Sequence, residues 1–307
     1  MSRLSLSDLQ AFAAVARLRS FRQAAEELGV SPSALSHALR GMEARIGLRL
    51  LHRTTRSVSP TEAGERLLAR LTPALHDIQS ALDEVNQFRA SPIGTLRINA
   101  PRAACELVIA PLLAPFLSRH PGMQVELVSD DAFVDIVADG FDAGVRFGES
   151  LQQDMVAVPL GPPQRFIVVA SPDFLARYGE PRDPHELVRF PCMRIRFPSG
   201  RAYRWEFAKD GQAVEVDVQG PLASNDMQAM ARAALDGIGL AYVYEPHARE
   251  ALQSGRLKQV LADWCPVVPG FYLYYPSRRG MPAGLRAFVD LLQETQTQVQ
   301  AFRPEPA

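Results

Sequence analysis

Cysteine is scarce in this sequence. Three residues in 307, Cys105, Cys192 and Cys265, lie far apart without a C-x-x-C pair. That odd, scattered set excludes a disulfide framework and a zinc site, and reads as buried or idle thiols in a reducing compartment. The six histidines are equally dispersed, with no metal-ligand spacing. No apolar run approaches the roughly 20 residues that span a bilayer. The N-terminus, MSRLSLSDLQAF, lacks a basic head followed by an apolar core and a small-residue cleavage site. The expected location is therefore the cytoplasm, with no membrane partner. G-x-S-x-G, clustered His and Asp, and a phosphate-cradling loop are also absent, and Gly237-Ile238-Gly239 is too short a glycine signal to replace them. Neither a metal nor a cofactor is expected.

What is present describes a folded, multidomain chain. Hydrophobic residues make up 47% and charged residues 22%, the balance of a globular protein, and 307 residues suffice for two or three domains. The net charge of −1 conceals an asymmetry. Residues 1–60 hold nine arginines against Asp8, Glu26, Glu27 and Glu43, whereas the remainder carries 24 basic and 30 acidic residues. A basic head on an acidic body suits a polyanion-binding module joined to a second domain.

The head reads as three helices and a hairpin. Ser7 with Gln10, and Ser20 with Gln23, fit the S-x-x-Q box that opens a helix. Leu6, Leu9, Phe12 and Ala16 recur at helical spacing, as do Phe21, Ala24, Ala25 and Leu28, with Gly29 as a left-handed stop. Ser31 then caps a third helix with Pro32 in its first turn. Two helices joined by a tight turn form a helix-turn-helix. On the third helix Leu35, Leu39, Met42 and Ile46 make a core stripe, and Ser33, Ser36, His37 and Arg40 make the opposite face. Those side chains suit base edges and phosphates, and they belong to the helix that enters the major groove in such motifs. The segment LRLLHRTTRSVSP reads as a wing whose tip offers Arg53, Thr54, Thr55 and Arg56 to phosphates.

The run DLQAFAAVARLRSFRQAAEELGVSPSALSHALRGMEARIGLRLLHRTTRSVSPTEAG resembles the DNA-binding domain of LysR-type transcriptional regulators almost residue for residue. Pro32 and His37 depart from the family's common Gln and Arg there, so the resemblance implies DNA binding without a transferable base preference. It implies operator contacts from Arg22, Ser31, Pro32, Ser33, Ser36, His37, Arg40, Arg53, Thr54 and Arg56.

After the wing, Ser59-Pro60-Thr61-Glu62 starts another helix, on which Leu71, Leu75, Ile78, Leu82 and Val85 follow a heptad-like seam reaching back to Leu67 or Leu68. Periodicity leaves open whether that seam packs on its own body or on a second copy. The resemblance implies a dimerisation helix, in a dimer or tetramer. Pro73 predicts a bend near residues 69–73.

From Gly94 strands and helices alternate, which implies an α/β body. TLRINA, MQVELVS, FDAGVRFG, QRFIVVA, LAYVY and GFYLYYP read as strands. Residues 104–119, VDIVADG, SPDFLARYG, 225–236 and 283–299 read as helices. The resemblance extends over essentially the whole chain. It implies an all-α winged helix-turn-helix head (1–60), a linker helix (61–90) and a two-lobed effector domain of the type 2 periplasmic-binding-protein-like fold (91–307). Lobe I would comprise 94–163 with 268–302, and lobe II 164–267.

In such domains a small-molecule effector sits between the lobes, at strand ends and helix N-termini. The matching positions are Ala100, Pro101, Arg102, Ser129, Arg146, Phe147, Ser224 and Asn225, with Arg196 pointing either inward or outward. Arg102 and Arg146 suit a carboxylate. Their alternative is a salt bridge within their own lobe to Asp130, Asp131 or Glu149. Ser224 and Asn225 serve equally as helix caps, and Tyr242 and Tyr244 read as core or rim. The resemblance implies double-stranded operator DNA, an effector, a second copy of the chain and RNA polymerase as partners. The rival reading, an enzyme on the C-terminal fold with an accessory DNA-binding head, needs catalytic groups that the sequence does not offer.

Overall fold

A computed structural model describes residues 4–54, 57–86, 91–132, 134–147, 155–197, 199–276 and 281–301. Spatial proximity divides the chain into two compact units, Met1–Phe88 with Asp135–Phe141, and Arg89–Val134 with Asp142–Ala307.

The head is built from α1 (Leu6–Leu18), α2 (Phe21–Glu27), α3 (Pro32–Ile46), the antiparallel strands β1 (Leu51–Arg53) and β2 (Val58–Pro60), and α4 (Glu62–Asn86). Ser20 and Ser31 cap α2 and α3 as expected, and Gly29 takes the left-handed conformation in the turn. The first cap differs. Ser5, not Ser7, accepts the Asp8 N–H, and the Asp8 carboxylate accepts the Ser5 N–H in return. The helix therefore starts two residues earlier, and Leu6 falls on the exposed face. Phe12, Val15, Ala24, Leu35, Leu39 and Met42 fill the core.

Thr61 joins the wing to α4, accepting the Gly64 N–H while donating to the Arg49 carbonyl. Gly64 is needed there because a Cβ would sit 2.1 Å from the Leu50 oxygen. The helix continues through Pro73, and its proposed seam divides. Leu71 is buried in the head core, and Leu67, Leu68 and Leu75 pack against it. Ile78 is 44% exposed. Leu71 thus spends its apolar surface inside its own head, whereas Leu75 is half-buried and Ile78 exposed, so the seam leaves the head core along the helix. The side chains of Leu82 and Val85 lie outside the described residues.

In the body, lobe I carries a five-stranded mixed sheet in the order β4-β3-β5-β15-β6. Its strands are β3 (Gly94–Ala100), β4 (Met123–Ser129), β5 (Ala143–Phe147), β6 (Met155–Leu160) and β15 (Phe271–Pro276). β3 runs parallel to β4 and β5, and β15 runs antiparallel to β5 and β6. Helix α5 (102–119) and α9 (Ala283–Ala301) belong to this lobe. α5 carries a π-helical turn over Cys105–Ile109, a local widening that often accompanies function.

Lobe II is organised on β7 (Gln164–Ala170), with β12 (Ala241–Tyr244), β13 (Lys258–Val260) and β14 (Val267–Val268) all antiparallel to it. α6 (Pro172–Tyr178), a parallel pair β8 (Arg194–Ile195) and β11 (Ala223–Ser224), a hairpin β9 (Trp205–Lys209)–β10 (Gln212–Val216), α7 (Met227–Leu235) and α8 (Glu245–Gln253) complete it. The chain crosses between lobes at 161–163 and 269–270. Val268 still pairs with Gln164, so the return crossing follows it. The two crossings touch, since a Cβ on Gly270 would lie 2.5 Å from the Pro162 oxygen.

The helix expected at VDIVADG is absent. Residues 135–141 form one turn, with the Asp135 carboxylate accepting the Val137 and Ala138 N–H groups and Gly140 left-handed at its end. Asp142 is already pinned beside β3, its N–H donating to the Arg97 carbonyl and its carboxylate accepting the Arg97 N–H. Too few residues remain for a helix.

Candidate functional site

The outer face of the helix-turn-helix follows from how the head uses its arginines. Arg17 pairs with Glu27 at 2.5 Å and Arg45 with Asp8 at 2.6 Å. Arg53 pairs with Glu43 at 2.7 Å and lies 5.2 Å over the Phe21 ring. The other oxygen of Glu43 accepts the N–H groups of Leu50 and Leu51, at 2.9 and 3.1 Å. Glu43 thus ties α3 to the wing, and Arg53 is part of that tie. This corrects the expectation of Arg53 as an open phosphate contact at the wing tip: it ends β1, half-buried.

Arg19, Arg22, Arg40 and Arg49 are exposed and form no carboxylate pair among the described residues. Arg40 Nε donates to the Ser36 carbonyl one turn back, at 3.3 Å. Ser33 and His37 are exposed beside it, Ser36 is half-buried, and Ser31 divides its hydroxyl between the Ala34 N–H and Ser33. Thr54 Oγ1 bonds to Ser57 across the wing turn. Thr55 and Arg56 lie outside the described residues. Three acids, Asp8, Glu27 and Glu43, are each paired with an arginine, so the positive surplus is carried by the unpaired arginines on the surface.

In the body, a cavity of about 1110 Å³ lies between the lobes, large for a small-molecule site. Lobe I lines it with Pro101, Arg102, Glu106, Arg146, Phe147 and Phe271, and lobe II with Phe166, Tyr203, Asn225, Asp226, Tyr242 and Tyr244, among others. Polar groups join the lobes along one side. Arg102 Nη1 donates to Asp226 at 2.7 Å, and Asn225 Nδ2 donates to Asp131 at 3.2 Å. The other oxygen of Asp131 accepts the Arg102 N–H. His247, its side chain only 6% exposed, places Nε2 3.6 Å from Glu106. Burial pulls the His247 pKa below its ordinary value, opposed by Glu106 and Asp226.

Residues 89–297 match the family described as "LysR substrate binding domain", and residues 6–65 match "Bacterial regulatory helix-turn-helix protein, lysR family". The chain belongs to the LysR family of transcriptional regulators. It is 47% identical over 304 residues to the HTH-type transcriptional regulator YcaN of Escherichia coli (strain K12), covering 99% of this chain and 100% of that one. It is 40% identical to the HTH-type transcriptional regulator PgrR of the same organism, over 95% of this chain and 98% of that protein. Among solved structures, CrgA, a LysR-type regulator from Neisseria meningitidis, matches 95% of this chain and 99% of its own at 27% identity and a TM-score of 0.58. The relatives are regulators rather than enzymes, and members of the family bind DNA and small-molecule effectors.

Of the effector positions expected in this LysR regulator, the fold brings Pro101, Arg102, Arg146, Phe147 and Asn225 to the cavity. Ala100 is buried in the lobe I core. Ser129, Arg196 and Ser224 do not line the cavity. Arg196 is exposed, its N–H bonded to the Ser224 carbonyl, and the Ser224 hydroxyl accepts the Asp226 N–H. The α7 cap is Asp226, which accepts the Ala229 N–H. Arg146 is 9% exposed, its guanidinium donating to the carbonyls of Val145 and Ala132 and to Asn99 Oδ1. Arg102 is paired, but across the cleft to lobe II, where a partner in its own lobe was the alternative.

Sequence reasoning missed Glu106, Phe166, Asp226 and His247, and set Tyr242 and Tyr244 aside. The available signal was the aromatic spacing of β12 against Phe166, but only the antiparallel register Tyr244↔Phe166 brings them together. Cys192 and Cys265 are buried and Cys105 half-buried, and burial raises all three thiols, Cys192 to about 12 and Cys265 to about 11. They favour the inert thiol form.

Proposed function

We propose that this regulator docks on operator DNA through the exposed face of α3, and that a small molecule held between the lobes controls its output. The observation that carries the first part is the division of the arginines: Arg17, Arg45 and Arg53 are paired with carboxylates, whereas Arg19, Arg22, Arg40 and Arg49 are not and are left for a polyanion. Ser33, His37 and Arg40 would face base edges, while Arg22 and the wing, including Thr54 and Arg56, would face phosphates. The cavity and the bonds crossing it support the second part. A ligand that favours one arrangement of the lobes shifts their equilibrium by its difference in affinity.

The working form is a homotetramer in the cytoplasm, assembled in part through α4, acting alongside RNA polymerase. Ile78, exposed on α4 beyond the head core, supports a role for that helix in assembly. No helix among the described residues is long and apolar enough to cross a membrane.

Footprinting on the DNA upstream of the regulator's own gene tests the docking face. Arg40→Ala is expected to weaken binding by about 1–3 kcal/mol, as for loss of a direct base contact. Unchanged affinity would remove α3 as the reading helix. Light scattering tests assembly: Ile78→Asp is expected to shift the protein to smaller species, because an unpartnered charge in an apolar contact is costly.

A further inference from the structure

The walls of the cavity are unlike those of an anion site. An aromatic path runs through it from lobe to lobe. Phe271 and Phe147 of lobe I meet edge-on at 5.4 Å, and Phe147 lies 5.8 Å from Phe166 of lobe II. Phe166 in turn lies 4.3 Å from Tyr244 and stacks on Tyr242 at 5.2 Å. Tyr242, Tyr244 and Phe271 are buried and Phe147 and Phe166 half-buried, so the rings offer mainly their edges to the cavity, and aromatic ligands pair with such rings by edge contacts and offset stacking.

The charge balance points the same way. Three arginines and five carboxylates line the cavity, and Glu106, Asp131 and Asp226 gather at its polar side around Arg102. Arg102 already serves Asp226, and Arg146 donates to oxygens of its own lobe. A carboxylate ligand would enter against net negative charge in a half-buried site, where repulsion is poorly screened.

Among the described residues, one side chain of the cavity wall has fully buried polar atoms without a hydrogen bond. The His247 imidazole is buried, and neither ring nitrogen has a hydrogen-bond partner among the described residues. Glu106 stands beyond hydrogen-bond reach at 3.6 Å, and Tyr244 presents its ring edge-on at 5.8 Å. Buried polar groups are nearly always satisfied, so an unfilled imidazole beside a cavity is a place for a ligand atom. A neutral imidazole offers one donor and one acceptor, which matches a hydroxyl or an amide.

We propose that the effector is a planar aromatic molecule without negative charge, its ring held among Phe147, Phe166, Tyr244 and Phe271 and its hydroxyl or amide bonded to His247. The proposal rests on the interlobe cavity being the effector site, and it replaces the carboxylate that Arg102 and Arg146 suggest from sequence.

Calorimetry and thermal shift on the full-length protein test it with three probes: 2-naphthol, 2-naphthoate and succinate. The expected result is that 2-naphthol binds and raises the melting temperature, 2-naphthoate binds at least about tenfold more weakly, and succinate does not bind. His247→Leu is expected to lower 2-naphthol affinity about tenfold, the scale of one buried hydrogen bond, and His247→Gln to restore most of it. Tighter binding of 2-naphthoate or succinate than of 2-naphthol overturns the proposal, as does no binding of 2-naphthol. Affinity for 2-naphthol that ignores His247→Leu overturns the assigned polar contact. If an anionic probe binds and Phe166→Ala abolishes it, the ligand class is wrong while the cavity remains the site. A probe that binds wild type and Phe166→Ala alike removes the cavity itself.

Discussion

The head and the interlobe cavity handle charge in opposite ways. In the head, the carboxylates of Asp8, Glu27 and Glu43 clamp some of the arginines, leaving others on the surface without acid partners among the described residues. In the cavity, polar groups reach across the gap to each other, and among the described residues the buried side chain left without a hydrogen bond there is an imidazole, His247. The difference matches two kinds of ligand. A polyanion rewards exposed, mobile cations whose counterions it releases. A small ligand in a cleft is selected by shape, aromatic surface and a few polar atoms. Counting arginines therefore says little, since their partners decide their use.

Breaking the inner clamp has the largest expected effect. Glu43→Ala leaves the Arg53 guanidinium and the buried N–H groups of Leu50 and Leu51 without their acceptor, an expected loss of about 2–4 kcal/mol. Urea denaturation of the isolated transition of the head measures it. A loss under about 0.5 kcal/mol would mean that solvent replaces Glu43, and the clamp would not hold the wing. A smaller effect is expected across the cleft. A double-mutant cycle of Arg102→Ala and Asp226→Ala on stability is expected to give a coupling of about 0.2–1 kcal/mol, because Arg102 is half exposed. Zero coupling would mean that the pair does not hold the lobes together.

The smallest effect separates the regions by pH. Burial depresses the His247 pKa in the folded protein, with Glu106 and Asp226 pulling it back up. A histidine with a lowered folded pKa contributes stability that is complete above its unfolded value of about 6.5 and is lost as pH falls through the folded value. Wild type is therefore expected to lose stability below that pH more steeply than His247→Gln. Parallel pH profiles would show that the imidazole is already hydrated or protonated.

The helices of the head were largely legible because their signals are local. Ser20, Ser31, Pro32 and Gly29 each act within one turn of their own position. The misplaced first cap shows the limit: Ser5 and Ser7 both precede polar residues at the right spacing, and only the bond to Asp8 decides between them. Strands β3, β4, β5, β7, β12 and β15 also stood out as apolar runs. The cavity did not, because Arg102 and Asp226 are separated by 124 residues, and no periodicity reports a pairing that distant. The seam on α4 was legible only as a repeat: Leu71 recurs as a coiled-coil position does, while the surface covering it is its own head.

In the proposed docking, pairing rather than sequence position sorts the head's arginines into docking and bracing roles. Fluorescence anisotropy on the upstream DNA, with melting curves from the same preparations of Arg40→Ala and Arg53→Ala, tests it most directly. Arg40→Ala is expected to lose about 5- to 150-fold in affinity with its melting temperature unchanged, and Arg53→Ala to melt several degrees lower while the folded fraction keeps most of its affinity. The reverse pattern, a stable Arg53→Ala that fails to bind and an Arg40→Ala that binds like wild type, would contradict it.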